Sequence, residues 1–394
     1  MMIAGAWLDH PGTQALLAAL ASHGHQALFV GGCVRNALMG EAVSDIDLAT
    51  DAVPAVVTAI AETAGFRVVP TGLAHGTVTV LAKDQPHEVT TFRKDVKTDG
   101  RHAIVAFSTQ IDEDAARRDF TMNALYADAA GRVLDPLNGL GDLQARLVRF
   151  VGDPGTRIQE DYLRILRYFR FHARYGDANA GLDAEALAAC AAFADGLETI
   201  SKERIGAEMR KLLSASDPAP AVAAMAQAGI LSRVLPGANP GVLPVLVHLE
   251  AGHPPRWLRR LAALGGVAPQ QALRLTRKEA SDLRDLSEAV ASAQSCAAMG
   301  WRLGETLGAD AVLLRAAVLG HPVPDHAMAD LSRGAGAAFP VTAADLMPDL
   351  TAEALGIRLR ALQAAWLASD LHLGKEALLA LAGPYGGDRP DESD

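Results

Sequence analysis

The spacing of apolar and polar positions changes along this chain, from short strand-like runs at the start to helical spacing beyond about residue 150. Ala27 to Val30 is an apolar run that leads into Gly31 and Gly32, which predicts a buried strand ending in a tight turn. Ser44 to Leu48 alternates, which predicts a half-buried strand with Asp45 and Asp47 on one face and Ile46 and Leu48 in the core. Arg67 to Pro70, Thr77 to Ala82 and Glu88 to Phe92 read as further strands. Thr13 to His23, Val34 to Met39 and Pro54 to Ala64 have helical spacing. Arg93 to Arg117 is polar and weakly patterned, which predicts a flexible loop with one short strand near Ile104 to Phe107. An apolar helix is expected over Ala124 to Tyr126.

Later in the chain the strand signal fades. Glu160 to Tyr175, Asp183 to Ala194, Lys202 to Ala215 and Ala219 to Ala228 have helical period, with breaks at Gly176 to Gly181, Asp217-Pro218, Pro236 to Pro244 and His253 to Pro255. Ala/Leu-rich helices follow from Gln270, and residues 383–394 are expected to fray. No repeat of fixed period is present. The pattern predicts an α+β protein: a mixed-sheet head, then a long helical arm.

Composition narrows this picture. The 394 residues are enough for two to four domains, and 50% are hydrophobic. The net charge of −10 requires any nucleic-acid partner to meet a local basic surface. Cys33, Cys190 and Cys296 form neither a disulfide framework nor a Cys-x-x-Cys zinc pattern. The start lacks the basic segment of a secretory signal, and no run of ~20 apolar residues is present. These features predict a cytoplasmic protein with no membrane association.

The candidate chemistry begins with Asp45 and Asp47. Two carboxylates side by side repel unless a cation lies between them, and hard divalent metals take such oxygen ligands. A glycine turn nearby can offer backbone N–H groups to a phosphate. The turn is neither a P-loop nor a dinucleotide fingerprint. Arg35 on the helix that follows adds a cation, and the order of parts points to metal-dependent nucleotide chemistry. Glu88 is either a third ligand, a base for an incoming hydroxyl, or an exposed strand residue. Arg117 and Arg118 offer forks for phosphate oxygens or start a solvated helix. Asp119 and Asn123 can bond sugar hydroxyls or cap that helix. Arg164, Arg167 and Arg170 recur every third residue, with Asp161 three before Arg164. This stripe is either a surface ion-pair ladder or a reader of nucleobase edges backed by phosphate-binding arginines. Arg256-Trp257-Arg259-Arg260 and Arg274 to Lys278 either touch phosphates or are solvated helix faces. The histidines, His75, His172 and His248 among them, are read as structural.

Taken in order, GGCVRN, DIDLAT, HGTV, EVTTFR, RRDFTMNAL, DPLNGLGDL, EDYLRILRYFRF and ISKERIGAEMRKLL resemble the bacterial tRNA CCA-adding nucleotidyltransferases and their poly(A) polymerase relatives. These are class II enzymes of the polymerase-β-like superfamily. The resemblance spans roughly Leu28 to Leu213. It implies a polymerase-β-like head over 1–145, an all-α neck over 146–215 that recognises the base, a helical body over 216–330 and an RNA-binding tail over 331–394. It also implies that Asp45 and Asp47 hold two Mg²⁺ ions, with Glu88 completing the acidic set. Gly31 and Gly32 form the nucleotide turn, and Gly32 and Arg35 hold the triphosphate. Arg118, Asp119 and Asn123 contact ribose and phosphate. Asp161 and Arg164 act as a protein template for the base, with Arg167 and Arg170 on phosphates or supporting the helix. Gly131 to Arg149 is the hinge between head and neck, and Ser201 to Leu213 stiffens the neck. One residue departs from the family pattern: Asn36 stands where Asp is usual. No His-Asp pair marks an appended phosphohydrolase domain.

The implied reaction is template-independent addition of CCA to tRNA 3′ ends from CTP and ATP, with the tRNA acceptor arm as partner and no protein partner inferable. A poly(A) polymerase, a CC-only or A-only enzyme, and a non-catalytic RNA-binding module are the alternatives. The loop Arg93 to Arg117 is full length and holds Asp99-Gly100-Arg101, which favours complete CCA addition.

Overall fold

The computed structural model describes residues 1–99, 102–347 and 352–382. Contacts divide the chain into two units, Met1–Pro236 and Gly237–Asp394. The first unit carries a mixed sheet of seven strands in the order β3-β4-β5-β2-β1-β8-β9. These are β1 (Ala27–Val30), β2 (Asp47–Thr50), β3 (Arg67–Gly72), β4 (Thr77–Ala82), β5 (Gln85–Thr91), β8 (Tyr126–Ala127) and β9 (Val133–Leu134). Strands β6 (Arg93–Asp99) and β7 (His102–Phe107) form a separate hairpin. β2 and β5 run parallel, and every other neighbouring pair in the sheet is antiparallel.

The two faces of the sheet have different tasks. Helices α1 (Pro11–Ser22) and α3 (Pro54–Thr63) pack against the sheet. On their side Trp7 meets Phe29 edge-on at 5.0 Å, and His87 bonds Thr13 at 2.9 Å. The opposite face carries Leu28, Val30, Ala49, Phe92, Ala124 and Tyr126 in one buried cluster. Side chains alternate along a strand, so Asp47 shares this second face with Ala49. Ile46 and Leu48 are buried, as the alternation predicts, but the strand starts later than Ser44: Asp45 and Ile46 lie in the loop before β2, and Asp45 is exposed.

Helix α2 (Gly32–Met39) follows β1, and α4 (Ile111–Ala116) follows the hairpin. α5 (Gly139–Gln144) lies against the turn Thr121–Asn123. Then come α6 (Pro154–Glu160), α7 (Leu163–Tyr175), α8 (Ala184–Ala192), α9 (Lys202–Leu213), α10 (Ala219–Gln227) and α11 (Ile230–Val234). An aromatic core joins head to neck: Phe120 lies 5.0 Å from Phe150 and 4.8 Å from Phe171, and Phe150 stacks on Tyr168 at 5.6 Å.

Three further local expectations are corrected. Residues 93–117 are not a loop with one strand. β6 and β7 pair from Arg93↔Phe107 to Asp99↔His102, with a shift in register between Asp95 and Lys97, and α4 follows. Charge along β6 hides the period of two, but the pairing needs only backbone groups. Gly100 and Arg101, within the Asp99-Gly100-Arg101 segment, lie outside the described residues, as do 383–394. Ala124 to Tyr126 is not helical either. After the Thr121–Asn123 turn the chain becomes β8, because the open edge of β1 satisfies its backbone through Phe29↔Ala127 and Val30↔Tyr126. Finally, Glu160 to Tyr175 is two helices. Asp161 is extended (φ −154, ψ 104), and its carboxylate accepts the Leu163 N–H at 3.1 Å, a capping role that suits Asp better than a helix interior.

The second unit is helical: α12 (Leu243–Leu249), α13 (Trp257–Leu264), α14 (Pro269–Ala272), α15 (Arg277–Ala291), α16 (Cys296–Leu319), α17 (Ala327–Ala335), α18 (Ala352–Ala368) and α19 (Lys375–Ala382). Here Arg259 and Arg260 contradict both readings of the basic cluster. They are 2% and 1% exposed. Arg259 donates to Glu250 at 2.6 Å and to Asp310 at 2.8 Å, Arg260 donates to Glu250 at 2.9 Å, and the more exposed Arg256 donates to Asp310 at 2.7 Å. The network ties α13 to α16, so these guanidinium groups are structural. Arg274, Arg277 and Lys278 are exposed, and Lys278 pairs with Asp282.

Removing one partner from a buried ion network strands the others. Asp310→Ala is expected to destabilise the second unit by about 3–5 kcal/mol, read from the denaturant midpoint of the full chain. An unshifted midpoint contradicts this account.

Candidate active site

The site residues sit on these elements or on the short connections between them. β1 ends at Val30, and Gly31 turns the chain at φ 71, ψ −118, a conformation that suits only glycine. A β-carbon at Gly31 would also stand 3.4 Å from Arg118 Nη1. The Gly31 N–H is bonded to the Leu125 carbonyl at 3.1 Å, so it is not available to a phosphate. Gly32 opens α2, and its N–H is one of the unpaired donors of a helix start.

Arg35 is buried, 6% exposed. Its guanidinium lies 4.0 Å over the Tyr175 ring and donates to the Tyr175 hydroxyl at 2.8 Å. It also donates to Asn123 Oδ1 at 2.5 Å and to Asn36 Oδ1 at 2.8 and 3.2 Å. All these acceptors are neutral, so none cancels its charge, while burial pulls its pKa down. Asn36 also donates to the Ala42 carbonyl at 3.0 Å. A carboxylate could not make that second bond. The amide therefore links Arg35 to the loop that carries Asp45, which gives the Asn36 departure a physical account.

Asp47 stands in register with Glu88 on the parallel neighbour. Burial first, and then the Glu88 carboxylate, push Asp47 up to about 6, with Asp45 adding and Arg118 opposing. Glu88 and Asp45 are exposed. Among the described residues, no set of three His, Cys, Asp or Glu side chains closes into a metal cage. Glu88 stands beside Asp47 on the neighbouring strand. Two carboxylates with like-charge strain are the donor set that Mg²⁺ takes when water and substrate phosphate complete its shell. The residues fit such an ion.

Asp45 and Asp47 line a cavity of about 580 Å³ with Gly32, Cys33, Arg35 and Asn36, and its lining also holds Arg170, Arg174, Arg210 and Lys211. Burial pushes the Cys33 thiol up to about 11 and leaves it unreactive. Sequence reasoning did not single out Arg174, Arg210 or Lys211, which reach this cavity only because α7 and α9 pack together.

The remaining predicted residues are locked in pairs. Arg117 and Arg118 both bond Asp114. Asp119 accepts from Asn123 Nδ2 at 2.9 Å and from Arg167 Nε at 2.8 Å. Arg170 is paired with Glu208 at 2.6 Å and Asp161 with Arg204 at 2.7 Å. Arg164 is paired with Glu160 and donates to the carbonyls of Arg157 and Arg117. The stripe of one acid and three bases is thus dismantled. Asp161 faces Arg204 rather than Arg164, and Arg167 and Arg170 support the helix. Asp161 and Arg164 do not line the cavity of Asp45 and Asp47. They stand by the Arg117–Asp119 segment, whose Arg118 reaches the Gly31 turn.

A family model described as "Poly A polymerase head domain" matches residues 27–149, and one described as "Probable RNA and SrmB- binding site of polymerase A" matches 181–241. Over these segments the chain resembles the CCA-adding and poly(A)-polymerase nucleotidyltransferases. The mitochondrial CCA tRNA nucleotidyltransferase 1 of Mus musculus is 45% identical over 204 residues, 52% of this chain and 47% of that protein. The CCA-adding enzyme of Geobacillus thermodenitrificans is 39% identical over 246 residues, 62% of this chain and 56% of that protein. The chain therefore spans about half the length of the curated relatives it matches. A crystal structure of the Bacillus stearothermophilus CCA-adding enzyme in complex with CTP aligns at TM-score 0.71 and 27% identity, over 96% of this chain and 97% of that one. The head-domain match falls within the first unit, and the alignment with that crystal structure extends over the helical remainder.

The raised Asp47 pKa has a pH consequence for the metal-free protein. Protonated Asp47 is favoured in the folded state. Its contribution to stability is therefore fullest below the ordinary carboxylate value of about 4 and is lost as pH rises through about 6. The melting temperature of wild type, relative to Asp47→Asn, is expected to fall between pH 5 and pH 7.5, and parallel profiles refute this. Gly31→Ala is expected to cost about 1–3 kcal/mol, measured by denaturant unfolding, because alanine cannot hold that turn without strain.

Proposed function

We propose that this protein adds C, C and A to the 3′ end of tRNA, taking CTP and ATP as substrates and two Mg²⁺ ions as cofactor. The observation that carries the reading is the Asp45–Asp47 pair beside a glycine turn, with Arg118 aimed at that turn. Support comes from the relatives named above and from the near-complete alignment with a CCA-adding enzyme that binds CTP. No helix among the described residues is long and apolar enough to cross a membrane. Action on tRNA in the cytoplasm accords with that.

In this mechanism Asp45 and Asp47 hold the metal, which supplies activation of the RNA 3′-hydroxyl and charge neutralisation on the triphosphate when bound. Gly32 presents its backbone N–H to the triphosphate, and Arg118 presents Nη1. Arg35 fixes the turn and adds positive potential. The 3′-hydroxyl attacks the α-phosphate in line and pyrophosphate departs, so the protein's work is positioning and electrostatics. Asp119 and Asn123 shape the ribose side while holding Arg167 and Arg35.

Asp161 and Arg164 read the base. Arg204 and Glu160 hold them, which fixes the angle of carboxylate and guanidinium. Cytosine and adenine each place an amine beside a ring acceptor. Uracil and guanine place a carbonyl there, which would face the carboxylate unpaired. The arginines of the second unit that are buried in ion pairs are not RNA contacts.

The deciding assay supplies tRNA ending at its discriminator base with CTP, ATP, UTP and GTP, separately and together, and sequences the added ends. CCA is expected. A run of A, or CC alone, points to the poly(A) or partial enzymes, and no incorporation refutes the reading. Asp47→Asn is expected to lower the rate by about 10³-fold, the equivalent of about 4 kcal/mol of charge stabilisation, with tRNA binding retained. Arg164→Ala is expected to narrow the preference for CTP and ATP over UTP and GTP, and unchanged selectivity removes Arg164 from the template.

A further inference from the structure

We propose that Asp114 is a positioning residue for nucleotide binding: it fixes the Arg118 guanidinium so that Nη1 faces the Gly31 turn. The inference rests on the nucleotidyl-transfer reading above.

Asp114 lies in the short helix α4 and its side chain is 1% exposed. Both of its oxygens are fully used. Oδ1 accepts from Arg117 Nε at 2.9 Å and Nη2 at 2.7 Å. Oδ2 accepts from Arg118 Nη2 at 2.9 Å and from the Tyr126 hydroxyl at 2.7 Å. The same hydroxyl accepts from Arg118 Nε at 3.1 Å, and the guanidinium carbon lies 5.3 Å from the Tyr126 ring centroid. Asp114, Arg118 and Tyr126 thus close a ring of three hydrogen bonds.

That ring occupies Nε and Nη2 of Arg118 and leaves Nη1 with no partner among the described residues. Nη1 is the atom that stands 3.4 Å from where a β-carbon on Gly31 would lie. A guanidinium has five N–H donors in a fixed plane, so pinning two nitrogens dictates where the third points. The charge count also suits a polyanion. One carboxylate faces two guanidinium groups, so the Asp114–Arg117–Arg118 cluster keeps a net positive charge beside the turn. Burial would raise the Asp114 pKa, but Arg118, Arg117 and Tyr126 outweigh it and hold it below the usual range, so the carboxylate stays ionised. An arginine ordered in advance loses less freedom on gripping a phosphate, and that gain appears as affinity.

The test measures KM and kcat for CTP and ATP, the equilibrium dissociation constant of CTP in Mg²⁺ by calorimetry, and the melting temperature. Asp114→Asn keeps the shape but turns one acceptor into a donor facing another donor. It is expected to raise KM and the CTP dissociation constant about tenfold with kcat nearly retained. Tyr126→Phe, which deletes the shared hydroxyl and little volume, is expected to raise both in the same direction and decides the matter if the Asn variant does not fold. In an Arg118→Ala background the Asn substitution is expected to add nothing further, since its effect runs through that arginine. A lower melting temperature and kcat with KM unchanged in both variants overturns the proposal and makes Asp114 structural. The proposal also falls if Arg118→Ala weakens CTP binding while Asp114→Asn and Tyr126→Phe do not, which leaves the nucleotidyl-transfer reading standing. A wild type that binds no CTP overturns both.

Discussion

A hydrogen-bonded circuit through Arg35 holds the head and neck of the first unit in one arrangement. It runs from Arg167 of α7 to Asp119, from Asp119 to Asn123, from Asn123 to Arg35, and from Arg35 back to Tyr175 near the end of the same α7. Four of its members are less than 10% exposed, so each group depends on the others for its hydrogen bonds. Polar groups buried this deeply are costly unless paired. The circuit therefore gives the glycine turn, the Arg118 segment and the neck helix one shared geometry, and the aromatic core around Phe120 packs beneath it.

Charge is distributed in a complementary way around the cavity. The lining includes carboxylates whose repulsion adds to burial in lifting Asp47 to about 6, and it also carries Arg170, Arg174, Arg210 and Lys211. A protein with an overall charge of −10 can handle a polyanion only by gathering cations locally. The arginines do not all serve it. Some of the strongest-looking candidates on a linear reading, Arg167, Arg170, Arg259 and Arg260, are committed to carboxylates of the protein itself. A guanidinium that holds a helix in place and one that waits for a phosphate look identical in a sequence. They differ in whether a carboxylate comes within reach after folding.

Much of the architecture was legible beforehand. The strands ending at Val30 and running from Thr77 to Ala82, the glycine turn and most of the neck helices announced themselves through period and punctuation. The hairpin of β6 and β7 did not, because a charged strand stabilised by its partner's backbone carries little pattern of its own. β8 was hidden for a related reason: an apolar stretch too short to show a period adopts whatever an open sheet edge requires. Asp114 was overlooked although its spacing to Arg117 and Arg118, three and four residues, is that of helical ion pairs.

By itself, the order of residues determined which chemistry was on offer: two carboxylates two positions apart, a turn only glycine can make, and the motif series that resembles nucleotidyltransferases. Those are local properties, set by the spacing of residues along the chain and the sterics of one backbone position. Only the tertiary structure decided which charged groups were left for a ligand. Ion pairing depends on distances of a few ångströms between segments far apart in sequence, such as Arg167 with Asp119 or Asp161 with Arg204. No linear period encodes those distances.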